Sequence, residues 1–181
     1  MTTWTRRRLR WIPACGAIAL LGTIMLGIAC SKQTVNYGDQ VKTALKQADL
    51  KDVDVSEDAS ANTIKLSGTL HSDDAKNRAG DIAQANAGPR TVANEISVEP
   101  VGNEAAARSM ESNLDDGIEN NYKAALISKG LNKQHISYDV KNGVVTLKGS
   151  VRNTKEKAQA EELAQNTPNV RQVVNQIEIR R

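Results

Sequence analysis

Apolar and polar positions alternate along residues 143–151, with Val145, Leu147, Gly149 and Val151 set against Val144, Thr146, Lys148 and Ser150. A period of two over this length predicts a strand with one buried face. Asn142-Gly143 just before it predicts a tight hairpin turn, so the strand is the second arm of a hairpin. A charged, Ala-rich helical stretch follows. A weaker copy of the same strand lies at residues 62–70.

Offsetting the chain against itself by 81 residues aligns 37–98 with 118–179 without a gap, and 16 of the 62 positions are identical. The identities include Leu45/Leu126, Leu66/Leu147, Gly68/Gly149, Ala79/Ala160, Ala83/Ala164 and Ile96/Ile177, and also Ser56/Ser137 and Asp58/Asp139. Two copies of this length predict tandem domains rather than a solenoid. In each copy the period predicts a helix (37–48 and 117–129), a short strand (53–57 and 136–140) and the hairpin's longer strand. A second helix (73–86 and 154–166) and a last strand (91–99 and 171–180) follow. Val41, Ala44, Leu45 and Ala48 form the apolar stripe of the first helix, and Ile118, Tyr122, Ala125 and Leu126 its partner in copy two. Asp116 is the expected N-cap there and Gly130 the stop. The second helices bury Ala75, Ala79, Ile82 and Ala83, or Ala160, Leu163 and Ala164, and Pro89 and Pro168 mark their exits.

The predicted class is therefore α+β: two tandem αββαβ domains, each a three-stranded mixed sheet covered by two helices, after an N-terminal signal or anchor helix. The expected boundaries are 1–29 for the leader, 30–36 for a tether, 37–99 and 117–181 for the two domains, and 100–116 for a partly helical linker. Residues 104–114 have helical composition, and two readings stand open: a helix running on into the next domain, or one ending near Asp115-Asp116.

Composition changes the picture mainly at the N-terminus. Arg6, Arg7, Arg8 and Arg10 precede an apolar run over 12–29, which is the layout of an export signal. The run ends Leu26-Gly27-Ile28-Ala29-Cys30, which resembles the lipobox of bacterial lipoproteins. Gly27 departs from it, because Leu is usual three places before the Cys. The resemblance implies cleavage before Cys30 and lipidation of its sulfur. An uncleaved anchor helix and a non-lipidated signal are the alternatives, and all three export the chain. Ser31, where inner-membrane retention would use Asp, implies the outer membrane in a two-membrane bacterium.

The leader also carries the chain's formal charge of +3. Beyond residue 29 there are 20 basic and 21 acidic residues, and the sign divides between the copies. Residues 37–99 hold 7 basic and 11 acidic residues, net −4; residues 117–181 hold 11 and 6, net +5. His71 and His135 occupy unrelated places in the repeat and are read as surface residues; no spacing of His, Cys, Asp or Glu suggests a metal site. Neither a nucleophile context nor a phosphate loop is present, so the expectation is a non-enzyme without cofactor. Nucleic acid ranks last as a partner, because the exported chain is near neutral and lacks Trp and Phe for base stacking.

The chain resembles dual BON-domain proteins. The resemblance rests on Asn142-Gly143-Val144-Val145-Thr146-Leu147-Lys148-Gly149-Ser150-Val151, on the ending Asn169-Val170-Arg171-Gln172-Val173-Val174-Asn175-Gln176-Ile177, and on Leu114-Asp115-Asp116-Gly117-Ile118. Asn169 stands where the family usually has Gly, and copy one diverges further, with Gly88-Pro89 for the usual Gly-Val. The resemblance implies periplasmic or membrane-associated binding modules without known catalysis, linked to envelope integrity and osmotic stress. It also implies that some dual-domain lipoproteins bind anionic phospholipid through the second domain. It carries no fixed set of site residues.

Two partner readings follow. One is anionic phospholipid at the basic second domain, with Lys123, Lys129, Lys133, Lys148, Arg152 and Lys155 as headgroup contacts and the membrane reached through lipidated Cys30. The other is protein interaction or scaffolding in envelope assembly or osmotic stress, without lipid.

Overall fold

Helix α1 (Tyr37–Gln47) starts where the side chain of Asn36 accepts from the backbone N–H of Asp39, and it buries Val41 and Leu45. It belongs to a computed structural model that describes residues 36–180. The leader, Cys30 and the tether up to residue 35 lie outside the described residues. After α1 come β1 (Val53–Asp58) and β2 (Thr63–Leu70), an antiparallel hairpin. Helix α2 (Asp73–Asn86) follows, capped by Ser72, whose hydroxyl accepts from Ala75 N. β3 (Thr91–Asn94) and β4 (Ser97–Val98) return parallel to β2 on its other side. The result is the mixed sheet expected, with β2 central and both helices on one face over Ile64, Leu66, Val92 and Ile96.

Copy two repeats this with one difference at its start. Helix α3 (Glu104–Ser128) is a single helix of 25 residues, so the linker helix and the first helix of copy two are continuous. Asp116 is therefore not an N-cap. It lies mid-helix because residues 104–114 already supply a helical register. The start is at Asn103, which makes no side-chain cap, while Glu104 accepts from Gly102 N. Gly130, with φ +70, ends it, and a 3-10 turn (Leu131–Lys133) leads into β5 (His135–Lys141). β6 (Val144–Val151), α4 (Thr154–Gln165), β7 (Gln172–Asn175) and β8 (Glu178–Ile179) complete the sheet and its cover. Tyr122 stands edge-on to Tyr138 and donates its hydroxyl to the carbonyl of Ala160, joining α3 to α4 across the core.

Two expectations need correction. Each last strand is broken rather than continuous: β3 and β4 part at Glu95-Ile96, and β7 and β8 at Gln176-Ile177. In this register the break falls beside Gly68 and Gly149, at whose φ values of +113 and +104 the central strand loses its ladder to the last strand while staying paired with β1 or β5. A Cβ at either glycine would overlap the carbonyl oxygen of Asp52 or His135.

The gapless alignment also fails locally. Gly68 pairs with Val53, whereas Gly149 pairs with Ile136, two residues later than the offset of 81 requires. Copy two spends the two extra residues before β5 and recovers them in a two-residue turn, Asn142-Gly143, with φ +50 and +79. Copy one has a four-residue loop at that place, gathered by Asp58, which accepts from Ser60 N, Ser60 Oγ and Ala61 N. A shift of two keeps every side chain on its own face. Ser56/Ser137 and Asp58/Asp139 are thus identities without structural equivalence.

The two copies meet along their last strands, through the sheet faces that carry no helix. Ala93, Val144 and Val174 form a small buried cluster there, and Ala93 and Val174 are the same position in the two copies. Gln172 caps the open edge of β3 as a second peptide group would: its Nε2 donates to Val92 O and its Oε1 accepts from Asn94 N. Gln176 donates to the hydroxyl of Thr63, and Asn142 Nδ2 to the carbonyl of Glu95. Helix α3 holds both sides. Glu111 accepts from Ser97 Oγ and Val98 N of copy one. One turn on, Asp115 accepts from Asn142 N and Gly143 N at 2.7 and 2.9 Å, pinning the hairpin turn of copy two.

Candidate functional site

The candidate surface is built at one end of copy two by the sheet register. His135 opens β5 opposite Ser150 near the close of β6, and Val151 pairs with Ile179 of β8. Residues just before His135 and just after Val151 therefore share that end. Lys129 is the C-cap residue of α3, where a cation complements the carbonyl end of the helix. Lys133 ends the 3-10 turn. Arg152 follows β6, and its backbone N–H donates to Glu156. Lys155 lies in the first turn of α4, which Asn153 caps through Glu156 N. The side chains of these four are exposed.

Of the six residues expected from the sequence, the structure gathers Lys129, Lys133, Arg152 and Lys155. Lys123 is exposed on α3, about one and a half turns before Lys129. Lys148 is set apart on the sheet face turned towards copy one, where it lines a cleft with Asp58 and Asp139. The carboxyl of Asp58 is held below its usual range mainly by the Ser60 hydroxyl and the Ala61 N–H, with Lys148 a minor contributor.

Three further residues at or near this end did not figure among the expected contacts. Arg180 is held by Glu178 at 3.0 Å. Ile127 and Ile179 are large apolar residues left open, at 54% and 44% exposure. Ile127 falls off the buried stripe of Ile118, Tyr122 and Leu126, a signal readable in the sequence. Ile179 continues the alternation of β7, and only the short β8 at the sheet's edge leaves it uncovered.

His71 Nδ1 lies 2.9 Å from the carbonyl oxygen of Glu99, and His135 is exposed. Among the described residues no group of three His, Cys, Asp or Glu could hold a metal ion, and no helix is long and apolar enough to cross a membrane.

Comparison with protein families matches the BON domain twice, over residues 36–100 and 114–181. No curated protein matches the chain in sequence. Among solved structures, the chain is similar to the C-terminal domain of CdsD, described as the structural protein of the Type III secretion system of Chlamydia trachomatis. Identity is 12% and the TM-score 0.34, covering 81% of this chain and 98% of that one. A second CdsD structure matches at 13% identity and a TM-score of 0.32, covering 78% and 91%. Both likenesses are loose.

Proposed function

This chain belongs to the BON domain family, and on that premise we propose that it is an envelope-associated binding module whose second copy contacts the headgroups of anionic phospholipids. The observation that carries the reading is the convergence of Lys129, Lys133, Arg152 and Lys155 on one end of copy two, beside exposed Ile127 and Ile179. A cation near an anionic bilayer gains about 1 kcal/mol at moderate salt, so four together exceed thermal energy several-fold. The apolar pair adds a contact that salt does not screen. A lipid on Cys30 would supply the first of two membrane signals and the basic end the second.

Vesicle flotation tests this with the compact unit Val35–Arg181, which omits the leader. It should float with vesicles containing phosphatidylglycerol and stay behind with pure phosphatidylcholine. The double variant Lys129→Glu/Arg152→Glu should lose at least about tenfold in binding, by the same charge arithmetic. Equal flotation with both lipids would end the lipid reading.

A scaffolding role is the second reading, favoured by Met110 and Leu114, which lie exposed one turn apart on α3. Crosslinking in intact cells from residue 110 that captures a distinct envelope protein would favour it; capture of lipid alone would count against it.

A further inference from the structure

A cleft of about 510 Å³ opens between the copies beside their shared strands. Asp73 and Lys76 of α2, Asn94 of β3, and Asn142, Arg171 and Gln172 of copy two line it. We propose that this cleft binds a phosphate monoester or inorganic phosphate, between the Lys76 amine, the Arg171 guanidinium and the Asn94 side-chain carbonyl.

The polar atoms of the cleft divide into those already used and those left open. Gln172 is spent on the edge of β3, and Asn142 Nδ2 on the carbonyl of Glu95. Asn94 Nδ2 donates to Lys76 O, which fixes the orientation of that amide and turns Oδ1 the other way. Two buried atoms remain without a hydrogen-bond partner, Lys76 Nζ and Asn94 Oδ1. Lys76 is 6% exposed, so its ammonium has given up most of its water without gaining a carboxylate. Burial, and after it the charge of Arg171, lower its pKa. Asp73, which lines the same cleft, and Glu111 and Asp115 act in the opposite sense, but none forms an ion pair with it. Asp115 is committed to the hairpin turn and Glu111 to β4.

Arg171 shows the same release. Its counterpart Arg90 pairs with Glu57 and lies over the ring of Tyr37. The two-residue slip of β5 puts Val140 where Glu57 stands, and Ile118 replaces Tyr37, so Arg171 has neither partner. Its stem packs on Gly143, and its head is left to the cleft.

The open atoms specify the ligand. Two cations call for an oxyanion, and the buried, unpartnered acceptor beside them, Asn94 Oδ1, calls for a ligand that also carries an O–H. Inorganic phosphate keeps one at neutral pH; a monoester, whose second pKa is about 6, keeps one on its phosphoryl group mainly below that; sulfate has none. The pseudo-equivalent cleft on the other flank, lined by Lys157 and Asn175, lacks this pattern. There Asn175 donates to Glu161 and its Oδ1 accepts from Ile177 N, so its side-chain carbonyl is not open.

Calorimetric titration of inorganic phosphate into the full chain in neutral detergent, at fixed ionic strength, tests the site. Saturable binding is expected, weakened at least about tenfold by Arg171→Gln and by Lys76→Met, and at least about tenfold weaker for sulfate. Arg171 is exposed, so its variant remains informative should the buried Lys76→Met unfold. No saturation by about 50 mM phosphate, equal affinity for sulfate, or binding that survives Arg171→Gln would overturn the proposal. Glycerol phosphate binding tighter than inorganic phosphate would identify a lipid headgroup monoester as the source; the reverse order would identify the free ion.

Discussion

Gly149 shows how much one residue decides here. Its φ of +104 and the carbonyl of His135 pressed against it leave no room for a Cβ. Gly149→Ala should cost more than about 2 kcal/mol, read as a fall in the denaturant midpoint. Gly68→Ala should behave alike, because the same geometry recurs against Asp52. Tyr122 carries a pH-dependent prediction. Burial, with Tyr138 beside it, pushes its hydroxyl well above the ordinary value of 10.0. The folded chain therefore keeps that proton at pH values where the unfolded chain has lost it. The stability tied to this group is full below about pH 10 and falls as pH rises further. Tyr122→Phe should cost about 1 kcal/mol at neutral pH through the lost bond to Ala160. It should also flatten the alkaline decline in a melting series from pH 8 to 11 relative to the parent chain.

At the scale of elements, α3 offers the clearest measurement. Gly117 sits inside it with open space around the site of a Cβ. Gly117→Ala should therefore stabilise the chain by roughly 0.5–1 kcal/mol, and a lowered melting temperature would argue against a continuous helix. The elements were largely legible in the sequence because periods and turn signals agree, although the one N-cap expected, Asp116, lies mid-helix: α2 runs over 73–86 as the spacing of Ala79, Ile82 and Ala83 predicts, and the Asn142-Gly143 turn stands where expected. The two-residue slip of β5 was not legible, since an even shift leaves the apolar alternation untouched. The candidate site was legible only as a list of charges. Which lysines converge depends on the pairing of His135 with Ser150 and of Val151 with Ile179, and on Lys148 facing the other copy. These are facts of register, which charge counts do not contain.

For the whole molecule, the joint between the copies uses the same surface twice, as a two-fold dimer interface would, within one chain. Val174 is 2% exposed at its centre, against Ala93 and Val144. Val174→Asp would bury a carboxylate in this apolar cluster and should cost about 3 kcal/mol. Hydrogen exchange at Asn94 N–H, which Gln172 protects, should accelerate in that variant before the cores of the separate copies open. Unchanged exchange would show that the copies are held chiefly by α3.

The grip of Glu111 on one copy and Asp115 on the other makes the joint intolerant of length. One residue added between Glu104 and Gly117 turns everything beyond it by about 100° and moves it by about 1.5 Å. Gln172 would then face away from β3. Descendants of this duplication can lengthen at the hairpin tip of residues 59–62, but the joint must pass down at constant length or be rebuilt from both sides at once.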